Sequence, residues 1–144
     1  MAHLKTIFYD KVDRNCPLAE YPRPQFERKD WINLNGEWSY TFDFSRSGDS
    51  RNLQQSTGFD GKIIVPFCPE SRLSGLQVHF PEATALHYRR SFTLPEGFNR
   101  GRVLLHIGAA DQELTCYVNQ KQVGTHAGID AMTFDITDAL QETN

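Results

Sequence analysis

Apolar and polar residues alternate with a period of two along most of this chain. From Glu37 to Phe44, Trp38, Tyr40, Phe42 and Phe44 fall on one face of a strand. From Leu86 to Leu94, Tyr88, Arg90, Phe92 and Leu94 share a face, with His87, Arg89, Ser91 and Thr93 on the other. Arg102–Ile107 carries Val103, Leu105 and Ile107 against Leu104 and His106; both faces are apolar-rich, which predicts a central strand. Leu114, Cys116 and Val118 alternate, then Met132, Phe134 and Ile136. A period of two puts one set of side chains on a buried sheet face and the other set outside. Shorter strands are predicted at Lys62–Val65, ended by Pro66, and at Val123–Gly128, which leaves a tight turn at Asn119–Gln120. No amphipathic run of helical length occurs. Six or seven short strands separated by Gly and Pro turns predict an all-β, antiparallel sandwich. Its expected core is Trp38, Tyr40, Phe42, Phe92, Leu105, Ile107, Val118 and Phe134.

The connections differ in character. Residues 1–29 contain Pro17, Pro22 and Pro24 and little periodicity, so they predict an extended arm. Ile7, Phe8, Tyr9, Leu18, Tyr21 and Phe26 favour an arm packed on the sandwich over a free tail. Asp30–Asn33 is a helical turn or a bend. Ser45–Gly61 is a polar loop with a helical turn near Asn52–Gln55. Phe67–Pro81 is a second long loop, and loops of that length without structure of their own are uncommon unless functional. The Tyr40-type stripe suits a core better than a sugar platform, which uses two or three exposed rings at a rim.

Several motifs in order carry a resemblance. They are Pro22-Arg23-Pro24-Gln25-Phe26, Leu34-Asn35-Gly36-Glu37-Trp38, Val65-Pro66-Phe67-Cys68-Pro69-Glu70-Ser71 and Tyr88-Arg89-Arg90. Asp111, Val118-Asn119, Val123-Gly124-Thr125-His126 and Phe134-Asp135-Ile136-Thr137 complete the series. Together the chain resembles the N-terminal β-sandwich domain of glycoside hydrolase family 2, which includes β-galactosidases, β-glucuronidases and β-mannosidases. The resemblance implies a jelly-roll fold of galactose-binding-domain type over residues 30–144. It implies an accessory role, with both catalytic carboxylates on a later barrel, and an end at Asn144 before the last strand and before the rest of the enzyme. The implied partners are the catalytic barrel and middle domain of the same polypeptide. A loop of the family's domain reaches the active-site mouth, and in this chain that loop implies substrate contacts at Glu70, Ser71, Arg72 and His79. Three departures leave the sugar open: Gln120 where Gly is usual, Gly128-Ile129-Asp130 for a Gly-Gly-aromatic run, and Cys116 where a large residue is frequent.

Composition narrows the alternatives. With 144 residues the chain is long enough for one unstapled core. Its 23% charged and 39% hydrophobic residues suit a globular domain. A net charge of −3 with no basic block argues against nucleic acid as a partner. No apolar run approaches the roughly 20 residues of a membrane span. The start lacks a signal-peptide pattern, so a cytoplasmic location is expected. Three cysteines at wide spacing form neither a disulfide framework nor a metal pair, and Cys116 reads as a small buried hydrophobe.

The chemistry-bearing residues have plain structural readings. Glu70 beside Arg72 suits a surface ion pair. Asp111, at a turn leading into a strand, suits a cap on local backbone amides. The five histidines lack metal-ligand spacing, and His126 reads as structural. Ser71 and Ser74 lack a nucleophile elbow. No catalytic residue, metal or cofactor is assigned. Two further functions stay open: a free-standing carbohydrate-binding module, and an interaction domain that builds oligomers. With the last strand missing, the unpaired sheet edge leaves two expectations: self-association as a homo-oligomer, or a monomer whose edge is covered by the N-terminal arm.

Overall fold

The computed structural model describes residues 5–81, 84–142 and 144. It is all-β, with seven strands: β1 Gly36–Asp43, β2 Gly61–Val65, β3 Ala85–Arg89, β4 Leu104–Ile107, β5 Glu113–Val118, β6 Lys121–Ala127 and β7 Met132–Asp135. The remaining regular structure is five single 3₁₀ turns. Every strand pair is antiparallel, consistent with a β-sandwich domain. The chain divides into two compact units, Met1–Gly48 with Thr57–Arg90 and Asp49–Ser56 with Ser91–Asn144.

The first unit holds a three-stranded sheet in the order β2-β1-β3. Trp38 lies opposite Ile63, and Tyr40 lies opposite Tyr88, so the aromatic positions of β1 share a face with both neighbours. Ile63 is fully buried there. Trp38, Tyr40 and Phe42 are half-buried rather than buried, and Phe44 is 65% exposed. The stripe nevertheless forms one aromatic ladder: Tyr40 meets Phe42 edge-on at 5.4 Å, and Phe44 stacks on Phe42 at 5.8 Å. Where β2 ends, the Asp60 carboxylate takes over its pairing role. It accepts the Phe42 amide at 3.3 Å and a short hydrogen bond from the Thr41 hydroxyl.

The arm is fixed along this unit by named contacts. The side-chain amides of Asn33 and Asn35 donate to the carbonyl of buried Pro17, at 3.4 and 3.1 Å, and Asn33 also donates to Leu18. Tyr21 packs edge-on against Trp31 at 4.7 Å. Ile7, Phe8, Leu18 and Phe26 are exposed, so the arm's apolar content does not translate into burial. Asp30 sits in a bend, not a helical turn.

The second unit contains two two-stranded sheets, β4-β7 and β5-β6. Its core is Val103, Val118, Met132, Phe134, Ile136 and Ala139. Phe92, Leu105 and Ile107, expected in the core, are half-buried and pack against it. β4 is not a central strand. Among the described residues it pairs with β7 alone, and Leu104 is 36% exposed. The run predicted for 86–94 stops at Arg89. Gly124 lies opposite Cys116, and a Cβ there would stand 2.5 Å from the Phe134 ring. Glycine is therefore a packing requirement at this position.

The β5–β6 connection is a two-residue hairpin turn. Val118 pairs with Lys121, and Asn119 and Gln120 both adopt positive φ, 49° and 68°. Asn tolerates this geometry, and its side chain also donates to the Ala139 carbonyl at 2.7 Å. Gln120 gains nothing comparable. Gln120→Gly is expected to stabilise the chain by up to roughly 1–2 kcal/mol, the cost of left-handed geometry for a residue with a Cβ. Phe134→Ala is expected to cost about 3–5 kcal/mol by emptying a packed aromatic site. Urea denaturation of the two variants checks both; a Gly variant weaker than the parent, or an unchanged midpoint for the Ala variant, contradicts the corresponding assignment.

Candidate functional site

The loop Phe67–Pro81 follows β2 and is built from short-range hydrogen bonds. The Phe67 amide donates to Ile64, and the Ser71 amide donates to Cys68. A 3₁₀ turn then runs over Arg72–Ser74. Ser71 caps it, its hydroxyl accepting the Leu73 amide at 3.1 Å. The turn ends at Gly75, whose φ of 91° suits glycine. Ser74 is the hub of the loop and is almost fully buried. Its hydroxyl donates to the Ser71 carbonyl at 2.7 Å, lies 3.2 Å from the Pro69 carbonyl and accepts the Leu76 amide at 3.1 Å. The Val78 amide returns to Pro69 at 3.1 Å, which closes the loop on itself. Phe80 then anchors it to the aromatic ladder, 5.1 Å from Phe42.

This scaffold presents Glu70, Arg72 and His79 to solvent and leaves Ser71 half-buried. Ser71 is committed to the turn as its cap. Glu70 and Arg72 do not form the ion pair expected from their spacing. Arg72 instead lies over the Tyr9 ring, its guanidinium carbon 5.8 Å from the centroid. Tyr88 is 41% exposed, yet partial burial of its phenol, and then nearby Cys68 and Glu70, push it up to about 12. Glu70 and Tyr88 thus share one neighbourhood, while among the described residues no hydrogen bond or ion pair joins His79 to them. Cys68 is an exposed thiol.

A second polar cluster was not legible in the sequence. Asp43, at the end of β1, is buried. Its carboxylate accepts the Gly48 amide at 2.7 Å and the hydroxyls of Ser45 and Ser47 at 3.2 and 3.3 Å. His87 Nε2 lies 3.4 Å away on β3. Burial pushes the carboxyl up, but bonds from the Ser47 amide, His87, the Gly48 amide and Ser45 outweigh it and hold it far below the usual carboxylate range. A Cβ on Gly48 would stand 2.5 Å from the His87 ring, so the turn fits only without a side chain there. The arrangement immobilises a charge and a loop. His87 faces the Asp43 carboxylate through its Nε2.

The other flagged residues are structural or isolated. Asp111 is exposed and caps no backbone amide among the described residues, contrary to expectation. The carbonyl of its neighbour Gln112 instead accepts the Gly128 amide at 2.7 Å. His126 pairs with Asp130 at 3.1 Å across that same loop. Burial pushes the Cys116 thiol up to about 11, which keeps it protonated and unreactive at neutral pH. Among the described residues, no three His, Cys, Asp or Glu side chains gather closely enough to hold a metal ion.

Among the described residues, seven strands, all paired antiparallel, and no α-helix make an all-β domain. Solved structures share this fold. A β-glucuronidase from Ruminococcus gnavus in complex with D-glucaro 1,5-lactone matches 77% of this chain and 20% of its own, at a TM-score of 0.64 and 20% identity. A β-glucuronidase from an uncultured Clostridium sp. matches 76% of this chain and 20% of its own, at 0.62 and 23% identity. One from Lactobacillus rhamnosus matches 76% and 19%, at 0.59 and 24% identity. The chain therefore spans about a fifth of the length of these relatives in fold. No protein-family model matches the chain, and comparison with curated proteins finds no match.

The Asp43 cluster has a pH signature. A carboxyl whose folded pKa is depressed contributes stability above its unfolded value near ~4 and loses it as pH falls further. Asp135 behaves likewise, held at about 2 by bonds from Thr137 and then Arg102. Asp43→Asn is expected to lower the melting temperature at pH 7 and to flatten its decline below about pH 4. A variant whose acid limb keeps the parental slope contradicts the assignment.

Proposed function

We propose that this chain is the non-catalytic N-terminal β-sandwich domain of a family 2 glycoside hydrolase. In this reading it is a jelly roll of galactose-binding type that scaffolds the catalytic barrel and forms one wall of the active-site mouth. One observation carries the reading. Motifs resembling those of the family stand in order from Pro22 to Thr137, and 77% of the chain shares its fold with a β-glucuronidase. The parent reaction is retaining hydrolysis of a β-glycoside, β-galactoside or β-glucuronide, by two carboxylates that lie outside these residues. The partners of the domain are the barrel and middle domain of the same polypeptide. Carbohydrate meets it at the Phe67–Pro81 loop, where Glu70, Arg72 and His79 are exposed and Ser71 shapes the backbone. The buried Ser74 hydroxyl supports this role, since a wall must hold its shape without help from the sugar.

The purified 144-residue chain is expected to turn over none of the nitrophenyl β-glucuronide, β-galactoside and β-mannoside. Antibodies raised against it are expected to remove a β-glycosidase activity from extracts of the source cells, together with a polypeptide several times longer. Turnover by the chain itself, or depletion of a polypeptide lacking any glycosidase activity, overturns the reading.

A further inference from the structure

The candidate loop is touched by the N-terminal arm at both ends of its 3₁₀ turn. At the start of that turn, the Arg72 guanidinium lies 5.8 Å from the Tyr9 ring centroid. At its end, Arg14 Nη2 lies 3.1 Å from where a Cβ of Gly75 would stand. Gly75 thus does two things: it takes the positive φ that closes the turn, and it leaves room for the guanidinium.

Tyr9 is itself held in place. It opens a one-turn 3₁₀ segment, Tyr9–Lys11, with its amide donating to Thr6 at 3.1 Å. Lys5 Nζ lies 4.5 Å from the same ring and pairs with Asp10 at 3.4 Å. Two cations therefore converge on one aromatic ring, and one of them belongs to the candidate site. Cations are drawn to an aromatic face by the ring quadrupole, and Tyr supplies that attraction where an aliphatic residue of similar bulk does not. Downstream, buried Pro17 accepts bonds from Asn33 and Asn35, which fasten the arm just after the Tyr9–Arg14 stretch.

We propose that residues 9–14 are a clasp on the Phe67–Pro81 loop, with Tyr9 as the positioning residue for Arg72 and Arg14 as the stop at Gly75. With the clasp closed, the guanidinium is parked over Tyr9. With it open, Arg72 is free to meet an anionic or hydroxyl-rich ligand at the loop surface. Its role at a sugar-binding mouth rests on the function proposed above; the clasp itself does not.

Arginine reactivity tests it on the intact chain. Phenylglyoxal labelling, mapped by peptide mass spectrometry, is read at Arg72, with exposed Arg28 as an internal reference. Arg90, whose guanidinium donates to the Leu34 and Asn35 carbonyls at 2.9 and 2.6 Å, reports that the fold is intact. Tyr9→Leu is expected to raise Arg72 labelling about two- to five-fold, the equilibrium shift an exposed cation–π contact supports. Tyr9→Phe, which keeps the ring, is expected to stay near the parental rate. Equal rates in all three chains, or an equal rise in both variants, overturns the clasp. If Arg90 also becomes reactive in the Leu variant, the parent chain decides by NMR. Proton–proton contacts between the Tyr9 ring and the Arg72 δ-methylene are expected, and their absence overturns the proposal. No sugar enters these measurements, so the clasp and the glycosidase reading fail separately.

Discussion

β1 is held from two sides: β2 pairs with Gly36–Tyr40 and β3 with Ser39–Asp43, so both edges are paired at Ser39 and Tyr40. Every amide and carbonyl along it must find a partner, because a buried orphan costs about as much as a lost hydrogen bond. β2 supplies one edge only as far as Gly61, opposite Tyr40. Beyond that point the Asp60 carboxylate stands in for a strand and takes the Phe42 amide. β3 serves the other edge from Ser39 to Asp43. The side chains of β1 divide between its two faces. One face carries the aromatic ladder that receives Phe80 from the candidate loop, and the other ends in the buried Asp43 carboxylate. Both candidate features are thus attached to one strand.

The strands were legible because the period-two signal is local. Leu114, Cys116 and Val118 announce β5 without help from any distant residue, and Met132 with Phe134 announce β7. The extent of burial was not legible in the same way. Phe44 continues the apolar alternation of β1, yet it lies one residue beyond the strand and is exposed. What covers a face depends on elements far along the chain, so the pattern identifies the face and not its depth. Leu104 shows the same gap: two apolar-rich faces suggested a central strand, and the pairing gives a single neighbour.

The candidate loop divides similarly. Its length marked it as functional material, and the exposed Glu70, Arg72 and His79 sit on it as its polar outer positions. The hydroxyl that holds it together, Ser74, carried no signal beyond being a serine in a loop, because its role depends on three backbone groups brought to it by folding. Asp43 and His87 are separated by 44 positions, and no spacing rule joins them. Tyr9 and Arg72 are more distant still. Contacts of this kind exist only after the sheet has formed, which is why sequence reading located the loop and missed what fixes it.

Gly124 and Phe134 share a single volume. The glycine has no side chain because the ring occupies the place where one would be, and the ring fits because the glycine has none. Neither position can be enlarged alone, but a methyl group at one is accommodated by a smaller residue at the other. Across related chains the two sites are therefore expected to vary as a couple, small with large or medium with medium. To a reader of many sequences they would show as one correlated pair linking β6 to β7, although no hydrogen bond joins the two residues.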